Sequence, residues 1–123
     1  MKEPNYAASD AVLEVSKEIR DNALVVHFHG GFSLINHVLM SRTIQEIKAA
    51  PQKRIVLDLG KVSFIDSMGV GVIVSVLKYT RTNAIPMAIV TNDVVDQILG
   101  VTNLIAILQI FRNLEEAIAG AVP

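Results

Sequence analysis

The sequence predicts an α/β fold, a layered sheet opened by an N-terminal hairpin, and three observations carry that expectation. Two strand-like segments, Val12–Ile19 and Leu24–His29, flank a turn. Beyond them, short apolar runs alternate with segments of helical periodicity, the pattern of a strand–helix layered domain. The 123 residues are 51% hydrophobic with 5% aromatic, enough for one aliphatic core without disulfide support.

Taken in order, Met1–Asp10 is polar and reads as loose, so residues 1–11 form a flexible N-terminus and 12–120 the domain. In VLEVSKEI, Leu13, Val15 and Ile19 point one way and Glu14, Ser16 and Glu18 the other, a half-buried strand. Arg20-Asp21-Asn22 is its turn, and Gly30-Gly31 ends the partner strand. A helix is expected over Leu34–Ala49, with Ile35, Val38, Leu39, Ile44 and Ile47 near one face, Ser33 as cap and Pro51 as stop. Ile55–Leu59 is almost wholly apolar until Asp58, a strand buried on both faces, and Gly60-Lys61 breaks it.

Asp66-Ser67-Met68-Gly69 opens the next apolar segment, and serine or aspartate there is a helix-start signal. Periodicity leaves that segment open between two states. Val70, Val72, Val74 and Val76 alternate as in a strand, whereas Val70, Ile73, Val74 and Leu77 share a helical face. Ile85–Val90 reads as a short strand whose Pro86 belongs at its first position or on an edge. Thr91 or Asn92 caps a helix over Asp93–Leu99, with Val94, Val95, Ile98 and Leu99 inward and Gly100 past its end. Ile105–Ile110 suits a last strand, and Asn113 with Glu116 forms a capping box for Leu114–Ala119.

The stretch DLGKVSFIDSMGVGVIV resembles the signature of the STAS domain, in its anti-sigma factor antagonist branch. FRNLEEA, at Phe111–Ala117, is similar to that family's closing helix, and the resemblance extends from about Val12 to Ala119. It implies a single STAS domain: a mixed sheet with the N-terminal hairpin, about four packed α-helices, and Met68–Arg81 as one of them. It also implies a role in partner switching. The unphosphorylated protein would bind an anti-sigma factor that is also a serine kinase, freeing a sigma factor for transcription, as in a stress response. The kinase would then phosphorylate Ser67, and a serine phosphatase would reverse it. The chain would be a kinase substrate rather than an enzyme, with no cofactor. Within the same family the alternative is a subunit of a lipid-transport complex, or a small-ligand-binding module.

Composition narrows the other classes. A net charge of −1 gives no general pull toward nucleic acid or an anionic membrane. The absence of cysteine removes disulfides, thiol catalysis and cysteine-based zinc sites. MKEPNYAASD lacks the apolar core of a signal peptide, and Met68–Val74 is far too short to span a bilayer, so no membrane insertion and a cytoplasmic location are expected.

On the residues alone, Ser67 is a helix cap; the resemblance makes it the phosphorylation site. Asp58 and Asp66 flank it, either as a strand end and a turn or as carboxylates that orient its hydroxyl. Gly69 and Gly71 are not a nucleotide loop, because Val74 stands where G-x-G-x-x-G requires its third glycine and there is no G-K-[ST]. They are read as points of close backbone approach, with Gly69 supporting the phosphosite. If the segment is a helix, Met68, Val72, Ser75 and Tyr79 form an outer stripe, the expected partner surface. His27 and His29 share a strand face and His37 lies apart, with no cysteine or adjacent carboxylate to complete a metal site. Ser67 lacks the G-x-S-x-G elbow of a hydrolase, and no catalytic residue is assigned. Two positions depart from the family: Met68 replaces a small residue, bearing on partner choice, and Ser33 replaces an acidic loop residue.

Overall fold

Two residues with left-handed backbone, Asp21 (φ 51°) and Asn22 (φ 65°), close the expected hairpin as a two-residue turn matched to strand twist. They join β1 (Leu13–Arg20) to β2 (Ala23–Phe32) in the computed structural model, which describes residues 12–120; the segment 1–11 expected to be loose lies outside them. The other strands are β3 (Arg54–Ile65), β4 (Met87–Val90) and β5 (Ile110–Phe111). The sheet order is β1-β2-β3-β4-β5, with β1 antiparallel to β2 and every other pair parallel. The helices are α1 (His37–Ala49), α2 (Ser67–Thr82), α3 (Asp93–Val101) and α4 (Leu114–Gly120). This is the mixed-sheet α/β architecture with four helices that the sequence predicts, and the ambiguous segment after Asp66 is a helix.

Strand order dictates the layers. Parallel crossovers are right-handed as a rule, and with strands added in one direction that rule puts α1, α2 and α3 on the same face, where their buried residues share one core. Leu24, Val26, Phe28, Leu57, Leu59 and Ile89 point toward them and form the main core with Met40, Ile73 and Leu99. The alternate positions Ala23, Val25, Val56, Ala88 and Val90 point the other way and are covered by Ala117 and Ile118 of α4, with Phe111 and Leu114 packed beside them. The second layer is therefore thin, and it covers only part of the sheet.

Several boundaries differ from expectation. β2 and β3 do not end at their glycines: both continue to the Phe32–Ile65 pair, absorbing register shifts around His29 and Gly30, where Gly30 takes φ 109°. Leu34–Asn36 is a 3₁₀ turn, and the α-helix starts only at His37. That shift rotates the buried stripe to Met40, Thr43 and Ile47, leaving Leu39 and Ile44 half-buried and Ile35 and Val38 outside. Ser33 is buried and makes no side-chain cap bond. Ile19 stands exposed at the sheet edge. α3 is capped by Asn92, whose Oδ1 accepts from Val95 N–H at 3.0 Å; it runs through Gly100, and left-handed Asn103 (φ 60°) follows its end. The run after it forms a 3₁₀ turn over Leu104–Ile107, because Leu104 and Leu108 turn inward four residues apart; the last strand shrinks to Ile110–Phe111. Pro86 lies just before β4, as its missing N–H requires, and its carbonyl accepts from Ile55 N–H. Asn113 Oδ1 accepts from Glu116 N–H as the expected capping box requires, while the return bond to Glu116 Oε1 comes from the Asn113 side-chain amide instead of its backbone N–H.

Candidate functional site

β2 and β3 deliver two loops to the same end of the sheet, and Asp66 ties them together. Its backbone is extended, and its Oδ1 accepts from Met68 N–H (3.0 Å) and Gly69 N–H (3.2 Å), capping α2. Its Oδ2 accepts from Leu34 N–H at 3.0 Å, across from the 3₁₀ turn after β2. One carboxylate thus satisfies free donors of two chain segments and fixes their relative position. The cap is therefore Asp66 rather than Ser67. Ser67 is the first helical residue and is exposed, its hydroxyl released from a capping role.

Gly69 sets how closely α2 approaches. A Cβ there would lie 2.3 Å from the Phe32 carbonyl oxygen and 2.8 Å from Ile65 Cγ1, so the first helical turn sits directly on the ends of β2 and β3. Gly71 has open space around it, so the expected close approach holds within the chain for Gly69 alone.

This seating fixes the helix phase, and it corrects the expected outer stripe. Gly69, Val72, Ile73, Val76, Leu77 and Thr80 face inward, and Val72 is only 2% exposed, so it is a core residue. Val70 and Val74, expected inside, rotate to half-buried flanks. Met68, Ser75 and Tyr79 are half-buried, and the Tyr79 hydroxyl donates to the Lys48 carbonyl of α1 at 3.0 Å. The fully exposed line runs through Ser67, Gly71 and Lys78.

Asp58 is also elsewhere. It shares strand parity with Val56, so it projects from the α4 face, away from α2 and Ser67. There its Oδ2 lies 2.7 Å from His27 Nδ1, and its Oδ1 accepts from Gly60 N–H where the strand is irregular. His27 Nε2 lies 2.6 Å from Glu18 Oε2. That contact, with help from Arg20, holds the Glu18 carboxyl below the ordinary glutamate range. The carboxylates that sequence spacing did not supply to His27 thus arrive from neighbouring strands and occupy both ring nitrogens. The sheet separates His27 from Ser67.

What the sequence reading missed is an apolar collar on the segments that Asp66 joins. Ile35 is 73% exposed and Phe64 52% exposed, with Leu34 and Val38 similarly open. Leu34 is bonded to Asp66, the cap of α2, and Phe64 precedes Asp66 by two residues at the end of β3. The consecutive apolar pair Phe64-Ile65 was a usable signal, since neighbouring strand residues face opposite ways and only one can be buried.

A strand-end aspartate that caps the next helix, with a serine exposed behind it, on a mixed sheet with three helices on one face: these features define a class. Residues 14–117 match the family model described as STAS domain, and the chain belongs to the STAS domain family. Similar solved structures agree with that fold. A Thermotoga maritima protein assigned as an anti-sigma factor antagonist superposes with TM-score 0.80 at 28% identity, over 87% of this chain and 93% of that one. An anti-sigma factor antagonist from Mycobacterium paratuberculosis gives TM-score 0.82 at 18% identity, over 94% and 98%. The Bacillus cell fate determinant SpoIIAA in its phosphorylated form gives 0.59 at 16% identity, over 88% and 97%. Among the described residues no helix is long and apolar enough to cross a membrane.

Proposed function

We propose that this chain is an anti-sigma factor antagonist controlled by phosphorylation of Ser67. In its unphosphorylated form it binds an anti-sigma factor with serine kinase activity in the cytoplasm, which releases a sigma factor. The partner phosphorylates Ser67 and lets go, and a serine phosphatase resets the cycle. The observation that carries this reading is the exposed Ser67 at the start of α2, whose capping Asp66 is bonded to the exposed Leu34 at the head of an open apolar run with Ile35 and Val38. Its resemblance to antagonists of known fold supports it.

The physical logic is a difference between two costs. A phosphoserine carries about −1.5 to −2 charges, and a helix N-terminus favours negative charge by about 0.3–1 kcal/mol. The phosphate therefore forms without unfolding the domain. In a complex that buries the apolar collar, the same charge loses water without gaining a counter-charge, which costs several kcal/mol. Each 1.4 kcal/mol is about tenfold in affinity. The partner surface is Ser67, Met68, Gly71 and Ser75 together with the collar. Tyr79 borders it, Asp66 and Gly69 hold its geometry, and Val72 and Asp58 have no part in it.

The test is calorimetric titration with the partner kinase, alongside kinase labelling with ATP. Wild type should take one phosphate at Ser67 and Ser67→Ala none. Ser67→Asp should bind at least about tenfold more weakly, Ser67→Ala about as well as wild type, and Ile35→Ser or Phe64→Ser more weakly with unchanged melting. Persistent labelling of Ser67→Ala would remove the site assignment. Tight binding by a folded Ser67→Asp would remove the electrostatic switch.

A further inference from the structure

The face of the sheet turned away from Ser67 carries a second arrangement of polar groups, which the proposed switch does not use. Past the end of α4 this face opens into a groove of about 420 Å³, within the range of small-ligand sites. Strand register lays two rungs across it, each with one residue from β1, β2 and β3: Ser16–His27–Asp58 and Glu14–His29–Lys61.

The two rungs differ in how far they are satisfied. In the first, Asp58 and Glu18 occupy both nitrogens of His27, and Asp58 also accepts from Gly60 N–H, so its groups are committed and held in place. In the second, Glu14, His29 and Lys61 are exposed, and none makes a side-chain hydrogen bond or ion pair among the described residues. His29 and Lys61 are register partners on neighbouring parallel strands, about 4.8 Å apart, with both side chains lining the same groove. Side chains from paired strands that line one groove can bring two nitrogen donors to one oxyanion, and the Ser16 hydroxyl on the next rung offers a third hydrogen bond.

We propose that this groove binds a small oxyanion, the carboxylate or phosphate group of a small molecule, between His29 and Lys61. Two carboxylates face the position. Asp58 on β3 is already engaged by His27, whereas Glu14 on β1, paired with His29, opposes the anion directly. That opposition gives the site a signature. Removing the Lys61 charge must weaken binding, and removing the Glu14 charge must strengthen it.

Amide chemical shifts of the whole protein, titrated with inorganic phosphate and in parallel with succinate, test this independently of Ser67. Saturable shifts are expected at Ser16, His29 and Lys61 with at least one of the two anions. Which anion saturates identifies the source of the oxyanion. Lys61→Gln should raise the dissociation constant about fivefold or more, and Glu14→Gln should lower it. Both residues are exposed, and thermal melts should match wild type. Three results would overturn the proposal: no saturation with either anion, equal affinity in Lys61→Gln, or shifts centred on Leu34, Met68 and Gly69 at the opposite site.

Discussion

Two glycines in the same helix, two residues apart, should respond to alanine in opposite directions. At Gly69 the added Cβ would meet the Phe32 carbonyl oxygen at 2.3 Å, Phe32 Cδ2 at 2.7 Å and Ile65 Cγ1 at 2.8 Å. The first of these is backbone, and Phe32 is fully buried, so neither can swing aside; α2 itself must shift. Overpacking of this kind costs about 1–3 kcal/mol or more. Alanine recovers up to about 1 kcal/mol of helix propensity, less near a helix start. Gly69→Ala should therefore lose about 2 kcal/mol. At Gly71 a Cβ meets no heavy atom within 4 Å, so the propensity gain of about 0.8–1 kcal/mol is free of steric cost. The pair should differ by about 3 kcal/mol in urea unfolding at 25 °C, with an unchanged denaturant slope. If Gly69→Ala unfolds within about 0.5 kcal/mol of wild type, the first turn of α2 does not sit on Phe32 as described, and the helix phase argued from it fails.

Three further outcomes follow from the same contacts. Asp66→Ala removes the acceptor for Leu34, Met68 and Gly69 N–H and should cost about 2–3 kcal/mol by chemical denaturation, while Asp66→Asn, with one acceptor oxygen, should fall between it and wild type. Because His27 and Arg20 hold the Glu18 carboxyl below its unfolded value, Glu18 stabilises the fold above the ordinary glutamate range and loses that effect as pH falls through its lowered value. Melting curves of Glu18→Gln and wild type should therefore differ at pH 7 and converge on acidification below about pH 4.3. Thr91 is buried, and its hydroxyl has no hydrogen-bond partner among the described residues, so the isosteric Thr91→Val should raise stability by about 1 kcal/mol.

Features written into a few adjacent residues were legible in the sequence. The Asn92 cap, the Asn113–Glu116 pair and the helix start at Asp66-Ser67 each depend on a side chain bonding backbone within three residues, and the Asp21-Asn22 turn on two residues that tolerate left-handed backbone. Features set by long-range seating were not. Periodicity gives a helical stripe but not its absolute phase, so it points Val72 outward, whereas the phase is fixed by Gly69 resting on Phe32 and Ile65. A 3₁₀ turn is indistinguishable from a first helical turn on pattern alone, so the pattern points Ile35 and Val38 inward although both stand exposed. Asp58 looked like a neighbour of Ser67 because it is close in sequence, yet strand parity carries it through the sheet to the other side. The run before Ile110 satisfied a strand pattern and formed a turn instead, since Leu104 and Leu108 reach the core four residues apart.

The sharing of Asp66 between two chain segments bears on what the proposed kinase would have to read at Ser67. The serine is not displayed on a strand-like loop that could be drawn into an active-site cleft. It lies on a helical turn bonded to Asp66, and Asp66 is bonded in turn to a segment more than thirty residues earlier in the chain. Leu34, bonded to Asp66, comes from a separate segment and joins this helix start only in the folded domain. Under the proposed switch, recognition of Ser67 is expected to be conformational rather than by a linear consensus. A synthetic peptide spanning residues 60–75 would retain every residue next to the serine, yet it would lack the surface that distinguishes this serine from any other.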